Sequence, residues 1–532
     1  MVAGRGRDTA GTATGRGRRA GTLGAVALLA LGAGALVIAA ALPDGGEAVL
    51  RGNLPVNAGA TDPLDLTSHN SPTLARSPRD SDVVAVANRI DTPRFSCALH
   101  VSADGGATWS PTPVPFPAGE EEPPRCYAPD LAFDPDGRLY LSFVTLRGLG
   151  NTPNAAWVTS STDGGRTLST PVRVAGPLTF QVRLSTHPDR AGKLYLSWLQ
   201  ADETATHALP NAGNPIVLSR SDDGGANWSD PVRVSPPGRA RVVAPSTAVG
   251  PGGQLYLAYL DLREDRLDYH GAHGGQGGPP YDGTWSLVVS RSGDEGRTWA
   301  ETVLDDGLVP TERFVVFLPP SPSIAVDGGN GRVYAAFHDG RLGDADVWLW
   351  SSEDAGASFT GRQRVNYTAQ SDASAQYLAR LAVAPGGRLD VVYYDRRADP
   401  ENVRNEVSLQ SSSNGGRSFG SRMVLSDGPF DSRIGYGGER DLPDLGSRLA
   451  LTSSDRQVLA AWSDTRSGTI VSQKQDLALA VVAMTRPSPT RAPLRVAGVV
   501  LMLAGAVLVA VQALPKRRRP SRAPIAGMLS RR

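Results

Sequence analysis

The 532-residue chain is poor in cysteine: Cys97 and Cys126 are its only two, so it has room for one disulfide at most. It also lacks a basic body. The formal charge of +1 is a near-cancellation. Arg5, Arg7, Arg16, Arg18 and Arg19 against Asp8 give the first 21 residues +4, and the residues after Leu514 give +7, which leaves −10 for the rest. A mildly acidic body offers no phosphate-binding face, which excludes nucleic acid as a partner. Calcium loops are missing as well. The "DGG" strings and "DPDG" at Asp134 lack the further oxygen ligands and the Glu at the twelfth position that such a loop needs. No metal and no cofactor is expected. His270 and His273 stand in a Gly-rich loop and read as solvated. Gly (60) and Pro (41) are plentiful and the aliphatics evenly spread, which marks a folded, turn-rich chain.

Two stretches carry no charge, Ala20 to Leu42 and Val496 to Leu514. Each is long enough to cross a hydrocarbon core of about 30 Å as a helix. Both have their Arg-rich flank on the side away from the middle of the chain. The positive-inside rule then puts the basic tails, 1–19 and 515–532, in the cytoplasm and the body outside it. The first stretch reads either as a retained anchor or as a cleaved signal peptide. Residues 486–495 read as a linker.

Between these stretches one turn recurs. "SADGGATWS", "STDGGRTLS", "SDDGGANWS", "SGDEGRTWA", "SEDAGASFT" and "SSNGGRSFG" begin at 102, 161, 221, 292, 352 and 412, with gaps of 59, 60, 71, 60 and 60. Each follows a short apolar run that reads as a strand. A second pattern alternates with it: strand, tight turn, strand. Clear copies are "PDLAFDPDGRLYLSFV", "PSTAVGPGGQLYLAYL", "PSIAVDGGNGRVYAAF" and "LARLAVAPGGRLDVVYY", with weaker ones from Ser71, Gln181 and Gly446. The unit is therefore four strands, repeated. Radial repetition of such units makes a β-propeller. Residues 43–485 are predicted to form one all-β propeller of seven blades, with six as the alternative, and residues 45–60 to supply the outer strand of the last blade.

The recurring Ser-x-Asp-x-Gly-x-Thr-Trp resembles the Asp-box, or BNR repeat, of the sialidase superfamily. The first and fourth copies match in full, through Asp104 with Trp109 and Asp294 with Trp299. Asp163, Asp223 and Asp354 hold the acidic position in three others, and Asn414 replaces it in the last. The turn reads as frame: a short carboxylate or amide oxygen accepts from nearby N–H groups, and Gly takes a dihedral other residues resist. The resemblance implies a sugar-carboxylate clamp of three arginines, a Tyr nucleophile activated by Glu, and an Asp acid/base. The family's early Arg-Ile-Pro stretch is absent; the nearest string is "NRID" at Asn88.

The topology places the short turns on one face and the long connections, such as those after Ser110, Leu199, Leu260 and Leu425, on the other. Function usually resides on such loops over a rigid scaffold. Cys97 and Cys126 fall on that face and are expected to pair. At the end of the second strand, four units read Asp-x-Arg: Asp261 to Arg263, Asp339 to Arg341, Asp395 to Arg397 and Asp464 to Arg466. These arginines are the candidate ligand-binding set, with a structural Asp–Arg brace as the alternative. Tyr436, Glu439 and Asp261 are the candidate catalytic residues. The functional expectation is recognition of a glycan or other cell-surface polymer. The alternatives are an exo-acting glycoside hydrolase of the exo-alpha-sialidase type and an envelope scaffold.

Overall fold

Second strands such as Leu255–Asp261, Val333–Asp339 and Leu389–Asp395 are buried along their whole length. A strand covered on both faces reads as a continuous apolar run rather than an alternating one, and these runs are the ones the sequence repeats. The computed structural model describes residues 13–41, 48–62, 64–120, 123–203, 212–267, 281–311, 319–369, 372–435, 444–484 and 491–513. It divides into two units, Ala48–Met484 and the two chain ends taken together.

Ala48–Met484 is all β. Seven antiparallel sheets follow one another along the chain, each built on a path of four strands. The blade number is seven, not six. The inner strands are His69–Arg76, Cys126–Phe133, Thr179–Thr186, Val242–Val249, Ser323–Val326, Gln376–Val383 and Ala450–Ser453. The outermost strand of the seventh blade is Ala48–Pro55, paired antiparallel to Asp476–Met484. The N-terminal strand thus closes the ring, as expected for residues 45–60. Closure leaves no blade half-built and no long inner edge open. The apolar core lies between blades: one buried cluster joins Leu218 of the third, Tyr259 of the fourth and Trp350 of the fifth.

Each recurring turn joins the third and fourth strands of its blade. In the first, the Ser102 hydroxyl donates to Asp104 Oδ1 at 2.8 Å and accepts from Gly106 N at 2.9 Å, while Thr108 N donates to the same carboxylate at 2.9 Å. The other turns repeat this set, and Asn414 Oδ1 takes the carboxylate's place, accepting from Ser412 Oγ at 2.8 Å and Ser418 N at 3.1 Å. The second glycine has a positive φ and faces the preceding blade. A Cβ on Gly165 (φ +94°) would lie 2.6 Å from Val101 Cγ1, and one on Gly296 2.9 Å from Leu218 Cδ2. These turns therefore lock blade to blade.

The chain ends form two helices, α1 (Ala13–Ala41) and α2 (Arg491–Ala513). They pack backbone to backbone: a Cβ on Gly32 would lie 2.8 Å from the Gly498 carbonyl oxygen, and one on Gly505 3.1 Å from that of Ala25. Both helices begin in charged chain, α1 with Arg16, Arg18 and Arg19 and α2 with Arg491 and Arg495. Among the described residues no helix is long and apolar enough to cross a membrane. Helices are therefore found over the expected 20–42 and 496–514, but their spanning of a membrane is not shown.

Candidate functional site

Five inner strands share a backbone irregularity. Their third residues, Ser71, Ala128, Gln181, Ala244 and Leu378, have φ between +53° and +63°. In each strand the pairing register shifts across this point. It is a β-bulge, which re-aims side chains and frees main-chain groups from the ladder. Pro72, Pro129 and Pro245 follow the bulge residue in three of the strands, where a missing N–H costs nothing. Two residues past the bulge stand Thr73, Asp130, Arg183, Ser246 and Arg380. In the seventh blade Gly446 (φ +78°) plays the bulge residue and Arg448 stands two residues on.

All six of these side chains line one cavity of about 90 Å³ among the inner strands, together with Ser321 of the fifth blade. Room of this size holds several waters. Arg448 reaches from the seventh blade across to the second and third, donating through Nη1 to the Pro129 carbonyl and through Nη2 to that of Val182 at 3.2 Å. Arg183 donates to the Pro245 carbonyl at 3.3 Å and to Ser321 Oγ at 2.8 Å. Both arginines thus serve carbonyls next to the bulges. Arg380 differs: among the described residues it has no hydrogen-bond or ion-pair partner, and it is open to the cavity. The one carboxylate, Asp130, accepts from Leu131 N at 3.1 Å and Leu184 N at 3.0 Å.

Among the described residues, three guanidiniums therefore face one carboxylate. Burial, and then the nearby Arg448, push Arg183 far below the ordinary guanidinium range; burial does the same to Arg380 and Arg448 to a lesser degree. A guanidinium does not give up its proton in a protein. The downward push reflects first the loss of water around the guanidiniums, with like-charge repulsion from Arg448 added at Arg183.

The sequence candidates fall elsewhere. Asp261, Asp339, Asp395 and Asp464 each accept the main-chain N–H of the arginine two residues on, at 3.0 to 3.2 Å. Three of the arginines fold back onto their own carboxylate, Arg341 Nε to Asp339 Oδ2 at 2.6 Å, Arg397 Nε to Asp395 Oδ1 at 3.0 Å and Arg466 Nε to Asp464 Oδ2 at 2.9 Å. Arg263 instead donates to Ser286 Oγ at 3.1 Å and Thr284 Oγ1 at 2.9 Å. The Asp-x-Arg repeat thus braces the ends of three second strands through both main chain and side chain and a fourth through the main chain, and none of its four arginines lines the axial cavity. Asp261 is also held by Arg239 at 2.9 Å. Tyr436 and Glu439 lie outside the described residues, as do His270 and His273. Cys97 and Cys126 form a disulfide, tying the third strand of the first blade to the inner strand of the second. Among the described residues no group of His, Cys, Asp and Glu is placed to hold a metal.

Sequence reasoning passed over Arg183, Arg380 and Arg448. The signal was present. Stacking "SPTLA", "APDLA", "QVRLS", "APSTA", "LARLA" and "GSRLA" puts Thr73, Asp130, Arg183, Ser246, Arg380 and Arg448 in one column, the polar position of otherwise apolar strands.

No protein-family model and no curated sequence matches the chain. Among solved structures it is similar to a Dyadobacter fermentans protein of unknown function, at 14% identity and TM-score 0.46, covering 82% of this chain and 99% of that one. A Penicillium chrysogenum alpha-L-arabinanase complexed with arabinobiose gives 13% and 0.43, with 81% and 98% covered. A Hadza microbial sialidase gives 14% and 0.40, with 76% and 74% covered. Likeness at this level says nothing of what this chain acts on.

Proposed function

We propose that the chain is an extracytoplasmic propeller of the sialidase-like class that recognises an anionic group of a glycan or other cell-surface polymer. The observation that carries this reading is the axial excess of positive charge, with Arg380 left without a partner. Arg380 is exposed to the cavity and has no partner among the described residues, and a guanidinium so placed beside two others reads as a place for an anionic ligand. The long connections suit a polymer approaching the ring. The test is retention of the whole chain on an array of acidic and neutral glycans. Selective retention of acidic glycans, lost in Arg380→Gln, supports the reading; equal retention of neutral ones sinks it.

The hydrolase alternative is tested in the same preparation. Turnover of a sialoside or another glycoside, abolished by Tyr436→Phe, would place the protein among exo-acting glycosidases. Neither turnover nor retention would leave the scaffold reading. Membrane tethering with both termini cytoplasmic is part of the proposal. It is supported by the uncharged runs 20–42 and 496–514 with their outer Arg-rich flanks. A reporter fused after Arg532 is expected to be active only in the cytoplasm.

A further inference from the structure

We propose that the axial cavity takes a doubly charged tetrahedral oxyanion, a phosphomonoester or its inorganic counterpart, in preference to a single carboxylate. The inference rests on the anion-recognition reading above and narrows it. Among the described residues, Arg183, Arg380 and Arg448 bring three positive charges to the cavity and Asp130 removes one. Asp130 does not consume a guanidinium: its oxygens are taken by two main-chain N–H groups, and among the described residues it makes no ion pair. Two positive charges therefore remain. A monoanion matches one of them and a dianion both, and the guanidiniums converge on one cavity, where charge-assisted hydrogen bonds to a dianion are the stronger.

The direction of the donors agrees with the charge. The three arginines come from the third, sixth and seventh blades and so approach from different sides of the axis. A carboxylate is planar and best met edge-on by one guanidinium fork. A tetrahedral anion offers oxygens to several sides at once. The donors are also spare. Arg448 is only 8% exposed, and while both its Nη atoms serve carbonyls, its Nε is buried without a partner. Arg380 donates to nothing described. Thr73 and Ser246 add hydroxyls to the same wall.

The test is titration calorimetry of the whole chain in detergent, at neutral pH and fixed ionic strength, with sodium sulfate against sodium acetate. Sulfate is expected to bind once per chain, about tenfold or more tighter than acetate, a gap of roughly 1.4 kcal/mol or more. Arg380→Gln is expected to remove most of that affinity without lowering the ligand-free melting temperature, because Arg380 holds no bond in the fold and its loss removes like charge beside Arg183 and Arg448. Acetate binding as tightly as sulfate, and lost in Arg380→Gln, overturns the dianion inference and leaves anion recognition standing. Binding of neither anion overturns both. Glucose 6-phosphate against galacturonate settles the source. Tighter binding of the phosphosugar than of sulfate points to a phosphorylated saccharide, and equal binding to a free anion, both in support. Tighter binding of galacturonate goes against the proposal.

Discussion

The second glycine of each recurring turn does two jobs that no other residue does together: it holds a positive φ and it lets the backbone touch the blade before it. Gly165→Ala places a methyl 2.6 Å from Val101 Cγ1 at φ +94°. The variant is expected to lose about 2 kcal/mol of stability in urea unfolding. Gly361→Ala, with nothing within 4 Å and an ordinary φ, is expected to be neutral or slightly stabilising. The carboxylates of these turns make a separate prediction. The Thr108 hydroxyl and main-chain N–H hold Asp104 down to about 2, and similar donors depress Asp163 and Asp294. A carboxyl depressed in the folded state contributes stability above its unfolded pKa of about 4 and loses it as pH falls through the folded value. The denaturation midpoint should therefore drop between about pH 4 and pH 2. Replacing Asp104, Asp163 and Asp294 together by Asn should flatten that drop, and Asn414→Asp should steepen it.

At the scale of the element, the closing strand depends on one side chain just past its end. Asn57 donates to Asp476 Oδ1 at 2.9 Å and accepts from Leu477 N at 2.8 Å, and it is only 3% exposed. Asn57→Ala strands a buried N–H and a buried carboxylate, an expected loss of about 1–3 kcal/mol by thermal or chemical melting. The Cys97–Cys126 bond, between residues 29 apart, joins two blades, and its reduction is expected to cost about 2–4 kcal/mol in the same measurement. The recurring turns, by contrast, are legible in sequence because their partners lie within a few residues. Ser102, Asp104, Gly106 and Thr108 complete one another inside a single turn. The Asp-x-Arg strings are equally local: three of the four arginines bond the carboxylate two residues before them.

The whole molecule holds what the local pattern hides. Arg183 and Arg448 are far apart in the chain and meet only because the ring closes, and each taken alone is an unremarked residue in a short strand. What brings Arg183 to the axis is a bulge that recurs in five blades on residues other than glycine, Ser71, Ala128, Gln181, Ala244 and Leu378; at Arg448 Gly446 takes that place. Backbone in this region is strained for such side chains. Replacing Ala128 or Ala244 by Gly is expected to leave the fold at least as stable, by unfolding in urea, and to keep the axial arrangement.

Ring closure has a further consequence, for synthesis. The strand Ala48–Pro55 is among the first parts of the propeller made, yet its partner Asp476–Met484 is among the last. A ribosome that stops early releases a chain whose opening strand has nothing to pair with and whose other blades lack their wedge. The disk can close only once Asp476–Met484 has been made, so a product that stops before it keeps a loose opening strand open to proteases.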